Sequence, residues 1–334
     1  MLRKFALTAA VVVAGAVSFA PTASQATELV LTSEVPATHW KTGYMEQFGK
    51  LVEEKTGGDL TVKIFTAGQL YSDQDALAAL GTGGVHMVWP VSVRLETIAP
   101  EVGVMNLPFA LSDDAMLNEC FNSGLTEMVT GMTTPRGLKV LGLLRAADLF
   151  FISHDIEIDG LEDLADTKIR ITGGKVLLDT MRGLGVSPIS MSASEMSTAL
   201  AQGAIDGVFT SPAGWAKIIG TTGKYSFRVP GLALATYSIV VDSAWMDELP
   251  QDQQDAIIEA VAEVAGSQWL ASKESGEENI ATMVSQGGIF LEADAEERAR
   301  WAEKVEGSAQ EFLTEYPEAV AAYTALKTTC KIGG

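Results

Sequence analysis

From Glu28 to Pro90 the chain alternates short β-rich runs with amphipathic segments, and this alternation restricts the fold more than any other feature. "ELVLTS" reads as a strand, and "TGYMEQFGKLVEEKTGG" as a helix stopped at Gly57-Gly58. The strand "LTVKIFTAG", the helix "SDQDALAALGTGG" and the strand "VHMVWP" follow. That βαβαβ order predicts a parallel-sheet α/β lobe. Further along there is an echo. "VKIFTAG" is similar to "KIRITGG" (Lys168 to Gly174), and "AALGTGGVHMVW" to "TALAQGAIDGVF", each of the latter pair leaving its helix through a glycine, Gly83 or Gly203. Two copies of one plan suggest two similar lobes, with chance convergence of common αβ chemistry as the alternative. In the last third, Ile257, Ile258, Val261, Val264, Trp269 and Leu270 recur at helical spacing over a length unusual for a compact domain. A long helix laid across both lobes would account for it. A second amphipathic helix is expected over "AEERARWAEKVEGSAQEFLTEY".

The N-terminus carries a different signal. Leu2-Arg3-Lys4 is a basic start, and Phe5 to Ala20 is an apolar run too short to span a bilayer stably. Ser24 and Ala26 supply the small residues of a cleavage site, so residues 1–26 read as a secretory leader removed after Ala26. Losing Arg3 and Lys4 takes the formal charge from −20 to −22. Such a balance repels nucleic acid and anionic membrane surfaces, so neither is an expected partner. Only two cysteines are present, Cys120 and Cys330. In an exported chain they are expected to pair as a disulfide, two unrelated buried thiols being the alternative. Three histidines and no clustered Cys/His spacing give no reason to expect a metal site, and no cofactor is expected.

No nucleophile elbow, zinc-protease helix, phosphate loop or complete dinucleotide fingerprint occurs in the sequence. The 43 acidic residues are too many for any pair to stand out as acid and base. An enzyme is therefore not expected. The residue that asks for an explanation is Arg170, in "DTKIRITGG". Strand alternation puts Ile169 and Ile171 on one face and Lys168, Arg170 and Thr172 on the other. In open α/β sheets, ligands bind beyond the carboxyl ends of strands. An arginine one step before such an end would present a planar, permanently charged fork that fits a carboxylate. The alternative is an exposed arginine paired with Asp163 or Asp166.

The stretch "IDGLEDLADTKIRITGGKVLLDTMRGLGVSPISMSASEMSTALAQGAIDGVFTSP" resembles the core signature of the substrate-binding proteins of TRAP transporters, the DctP family. Upstream, "VEEKTGGDLTVKIFTAGQL" and "APEVGVMNLPFAL" are similar to further family segments. Downstream, "VVDSAWMDELPQDQQDAI" resembles the stretch that begins the family's long connecting helix. The resemblance covers nearly all of the chain after the leader. It implies an α/β, two-lobed periplasmic binding protein fold with hinge strands and a long helix spanning both lobes. The lobes are expected over 27–147 plus 236–275, and over 148–235 plus 276–334. The implied function is a periplasmic receptor that binds a small organic acid anion between the lobes and delivers it to the membrane subunits of a TRAP transporter. A receptor of the same fold serving an ABC permease or a sensor is the nearest alternative, and a secreted enzyme the more distant one.

The same resemblance assigns site residues. Arg170 occupies the position whose arginine grips the ligand carboxylate in the family. The strand-end echo adds Trp89 and Ser92 in the first lobe, opposite Phe209 and Thr210 in the second. Ser192 falls in a cleft-lining loop, and Trp215, Tyr237, His39 and Trp40 could stack on or cover the ligand, with ordinary packing as the alternative for each aromatic. Two departures bear on the ligand. A second family arginine would fall at Leu149-Phe150, leaving Arg145 as a substitute only if the register slips. Val91 is apolar where sialic-acid binders carry an acid, which favours a smaller or more apolar acid.

Overall fold

The computed structural model describes residues 26–333, so the expected leader, Ala26 apart, lies outside the described residues. The chain opens with β1 (Thr27–Thr32), α1 (Trp40–Lys55), β2 (Leu60–Phe65), α2 (Asp73–Ala79) and β3 (Met87–Val88). Tight 3-10 turns at Ser92–Thr97 and Pro100–Asn106 lead to α3 (Asp113–Leu117), α4 (Glu119–Thr133) and β4 (Leu138–Asp148). The second run is β5 (Phe150–Ser153), β6 (Lys168–Ile171), α5 (Lys175–Gly183), β7 (Ser187–Ser190), α6 (Ala193–Ala201), β8 (Gly207–Thr210), α7 (Pro212–Gly214) and β9 (Tyr225–Arg228). β10 (Leu234–Asp242), α8 (Ser243–Glu248) and α9 (Gln251–Ser285) come next. The chain closes with β11 (Ile289–Glu292), α10 (Ala295–Glu306), α11 (Gln310–Glu315) and α12 (Pro317–Thr329).

Two sheets form, in the orders β2-β1-β3-β10-β4 and β11-β9-β5-β8-β6-β7. In the first, β1 is parallel to β2 and β3 while β10 is antiparallel to β3 and β4; in the second, β6 is parallel to β7 and β8 while β5 is antiparallel to β8 and β9. The second sheet thus repeats the first, with β7-β6-β8-β5-β9 in the places of β2-β1-β3-β10-β4. This corrects one half of the echo read from sequence. The helix–glycine–strand units α2–β3 and α6–β8 are true counterparts, but β6 stands where β1 does, not where β2 does. A short apolar strand leaving through Thr-x-Gly is local turn chemistry, and pairing partners decide its place in a sheet.

The chain passes between the sheets at Leu149, again between β9 and β10, and along α9. The β4/β10 pairing runs to Asp148↔Leu234, and the Leu149 N–H still donates to the Ala233 carbonyl at 3.0 Å. The connecting strands are therefore tied together up to the crossing. α9 packs on α1 and β4 of the first lobe and on α7 and β11 of the second. Ile257, Val261, Val264 and Trp269 are buried along it, whereas Ile258 and Leu270, expected in the same stripe, are 50% and 64% exposed. Positions adjacent in sequence lie about 100° apart on a helix, so only one of each neighbouring pair can face the sheet.

Two further expectations are corrected. The second amphipathic segment is not one helix, because α10 ends at Glu306, a turn at Gly307–Ala309 intervenes, and α11 resumes. Glycine and serine there are poor helix formers, and the break lets Trp301 and Phe312 face different parts of the core. Residues 276–334 do not all belong to the second lobe. α12 packs on α4 and on the 100–106 turn, and Cys330 is joined to Cys120 of α4, with Cα atoms 5.6 Å apart. The Tyr323 hydroxyl donates to the Ala110 carbonyl at 2.7 Å.

Candidate functional site

Ile169 and Ile171 are fully buried in the second lobe's core, which turns Arg170, only 2% exposed, towards the space between the sheets. There it lines a cavity with residues of both lobes. One edge of its guanidinium is fixed, since Nε and Nη2 donate to the Met191 carbonyl at 3.0 and 2.7 Å. The Nη1 hydrogens are not used in that contact. Burial pulls the Arg170 pKa down to about 10, with the charges of Glu34 and Tyr237 opposing and that of Arg94 adding to it. It remains a cation at neutral pH.

Facing it from the first lobe are Glu34, His39, Asp73 and Tyr237. His39 caps α1, its Nδ1 accepting from the Lys41 backbone N–H at 3.1 Å, so the ring proton sits on Nε2. Burial, reinforced by Lys41 and Lys217, lowers its pKa to about 3, which leaves a neutral donor at the cavity. Tyr237 packs edge-on against His39 and Trp40, and burial raises its hydroxyl pKa. Lys41 lies over the Tyr237 ring, with Nζ 4.3 Å from the centroid, 2.7 Å from the Trp89 carbonyl and 3.5 Å from Asp73 Oδ2. Glu34 and Asp73 hold one another through backbone N–H donors, at 2.9 Å to Asp73 Oδ1 and 3.2 Å to Glu34 Oε2. Burial raises the Asp73 pKa, and Lys41 opposes that shift. Glu34 also reaches the other lobe, where its Oε1 accepts from the Ala193 N–H at 3.2 Å. The cavity leaves about 40 Å³ open to the centre of a water molecule.

Of the residues expected in the cleft, Arg170, Thr210, Tyr237 and His39 line this cavity. The others are placed elsewhere, each for a packing reason. Trp89 is fully buried against Phe48. Ser92 is buried and bonds Thr236 and Ser238 at 2.6 and 2.7 Å, stitching its turn to β10. Trp215 packs on Phe150 and donates to the Gly223 carbonyl at 2.8 Å. Trp40 is half-buried against Tyr44 and Tyr237. Ser192 caps α6 and lines a separate groove with Arg94 and Gln74. Arg145 is committed to Asp113, with Nε–Oδ1 at 2.6 Å and Nη2–Oδ2 at 3.1 Å. Against burial, which raises it, the Arg145 hydrogen bond and charge hold the Asp113 carboxyl low.

Sequence reasoning missed Glu34, Asp73, Met196 and Ile218, all cavity-lining. A signal existed for Glu34. It follows β1, the strand whose place in the first sheet matches that of β6, so the two strand ends face one another. Val91, noted for its apolar character, does line the cavity, as does Thr172.

Two α/β lobes, crossed by paired strands and braced by one long helix around an interlobe cavity, define the class of two-lobed periplasmic binding proteins. Solved structures share the architecture. The sugar acid binding protein DctPAm of Advenella mimigardefordensis, in complex with galactonate, superposes with a TM-score of 0.86 at 20% identity, covering 92% of this chain and 99% of that one. A TRAP periplasmic solute-binding protein from Sulfurospirillum deleyianum with bound succinate gives 0.83 at 21% identity, covering 91% and 100%. Among relatives by sequence, the C4-dicarboxylate-binding periplasmic protein DctP of Rhodobacter capsulatus is 28% identical over 77% of this chain and 78% of its own length. The family model for bacterial extracellular solute-binding proteins, family 7 (DctP), matches residues 31–315, and the chain belongs to that family of TRAP transporter receptors.

Proposed function

We propose that this chain is a periplasmic receptor that binds a small organic acid between its lobes, with the carboxylate on Arg170, and passes it to the membrane subunits of a TRAP transporter. The observation that carries this reading is Arg170 itself, a buried guanidinium with one edge fixed by Met191 and lining the interlobe cavity. It is the sole Lys or Arg among the residues that line it. His39, Thr210 and Tyr237 are the neighbouring polar groups that would orient the acid. The names and bound ligands of the relatives, C4-dicarboxylates, galactonate and succinate, support an acid ligand.

The test is Arg170→Ala, with the fold checked by circular dichroism. Truncating one partner of a desolvated charge pair costs about 2–5 kcal/mol, or roughly 30-fold to several-thousand-fold in affinity. Arg170→Lys should recover only part of it, because an ammonium keeps the charge and loses the fork. The ligand's amide analogue should bind weakly to wild type and be little affected by the substitution. Undiminished binding of the acid by folded Arg170→Ala would overturn the site.

A further inference from the structure

The Arg170 cavity shares a wall with a second one. Val91, Leu149, Thr172 and Ala235 line it and also line a second cavity between the lobes, where about 30 Å³ is open to the centre of a water molecule. The far walls of that second cavity include Val93, Leu111, Leu177 and Leu234, drawn from both lobes. No charged side chain lines it, and its polar side chains are Thr172 and Asn106. One amide hydrogen of Asn106 is taken, Nδ2 donating to Glu96 Oε1 at 2.8 Å. With so few polar side chains on its walls, the cavity suits an apolar group, which needs no partner, better than a hydroxyl or a water, which needs two to four. A second carboxylate fares worse. It would find no cation in the side cavity, and in the main cavity it would meet the carboxylates of Glu34 and Asp73.

We infer that the ligand is a monocarboxylic acid with an apolar tail, its carboxylate on Arg170 and its tail passing Thr172 and Val91 into the side cavity. The inference rests on the carboxylate-receptor reading above and adds the chemical class. Thr172 shares its strand face with Arg170, two residues on, so the shared wall begins where the carboxylate sits. Because both lobes supply the side cavity, closing them around the tail removes it from water.

Titration calorimetry on the full-length mature protein with propanoate, butanoate, pentanoate and hexanoate tests this, with succinate and glucuronate alongside. Affinity should rise about fourfold per added methylene, the equivalent of roughly 0.8 kcal/mol each, until the side cavity is full. Succinate should bind more weakly than butanoate, which has the same carbon skeleton, and glucuronate more weakly than hexanoate. Ala233→Phe, which fills the side cavity, should flatten the series; the wild-type series decides the matter if that variant does not fold. A flat wild-type series, or succinate or glucuronate preferred with loss on Arg170→Ala, would overturn the apolar tail and leave the carboxylate site standing. Binding of no acid at all would overturn both.

Discussion

Glu96 belongs to the first lobe, yet its Oε2 accepts from the Val176 N–H at the start of α5 at 3.1 Å. The side chain is 6% exposed, and burial lifts its pKa from 4.5 to about 7, against the hydrogen bonds from Val176, Asn106 and Lys175; Asp179 pushes the same way as burial. The consequence for stability has a definite sign. A carboxyl raised in the folded state binds its proton more tightly there, so its contribution is fully present below pH 4.5 and is lost as pH rises through 7. The change is about 3 kcal/mol. Most of that change falls between pH 4.5 and 7, where Asp73 and Asp148, both raised to about 6 by burial, also titrate; the interval from pH 6.5 to 8 reports mainly on Glu96 and carries about 1 kcal/mol of it. Glu96→Gln should therefore flatten the fall in melting temperature over that interval, and the variant should be the more stable protein at pH 8. Parallel curves for the two proteins would show that Glu96 does not titrate there. Not every such residue announces itself in the sequence. Among 43 acidic residues, nothing local separates Glu34, Asp73 and Glu96 from those on a solvated face. Arg170 was singled out by strand alternation and the Gly173-Gly174 exit, but it was the family resemblance that favoured the cleft over an exposed arginine paired with Asp163 or Asp166. The aromatic candidates divided by packing instead, since Trp89 and Trp215 sit at element ends like cleft residues but are covered by Phe48 and Phe150.

Elements followed from local pattern where the pattern was long, and failed where pairing or a tertiary contact decided. The βαβαβ run and the length of α9 were readable because period and stop signals agree. The place of β6 in its sheet was not, because order is set by which neighbour completes its hydrogen bonds. Nor was the return of α12 to the first lobe, which depends on contacts with α4 more than two hundred residues earlier, as the 210-residue separation of its disulfide shows. That bridge should matter. It closes a long loop, for which the chain-entropy account sets a ceiling of about 5 kcal/mol, and replacing both cysteines with serine should cost roughly 2–4 kcal/mol, the range usual for such bridges. The loss should appear in denaturant unfolding as a lower midpoint, with hydrogen exchange rising first in α12. An unchanged midpoint would mean that Tyr323 and its neighbours hold α12 without the bridge.

At the scale of the whole molecule, the lobes meet through few polar contacts. Glu34 caps α6 through Ala193, and Glu96 caps α5 through Val176. Each contact is exchanged for water when the lobes part, so each is worth only about 0.5–1.5 kcal/mol, or somewhat more for a charged acceptor. Apolar packing adds to them, since Val176 at the start of α5 sits in the first lobe's core beside Gly103 and Phe312, and an acid that touches both lobes at once shifts that balance further to the closed side. Gly174 sets how closely they approach. Its φ is +87°, and a Cβ there would lie 2.2 Å from Val93 Cγ2 of the first lobe. The lobes should therefore open without ligand and close upon it, through the paired strands at Leu149 and Ala233, as hinged receptors do. Small-angle scattering should show the radius of gyration falling when the tightest acid of the series is added. Gly174→Ala should prevent the compaction and weaken binding, since a methyl group there meets Val93 and is strained at that positive φ, with circular dichroism checking that both lobes stay folded. An unchanged radius in wild type, with binding shown by calorimetry in the same buffer, would mean that the ligand enters a site already closed and that the two capping carboxylates hold the lobes together on their own.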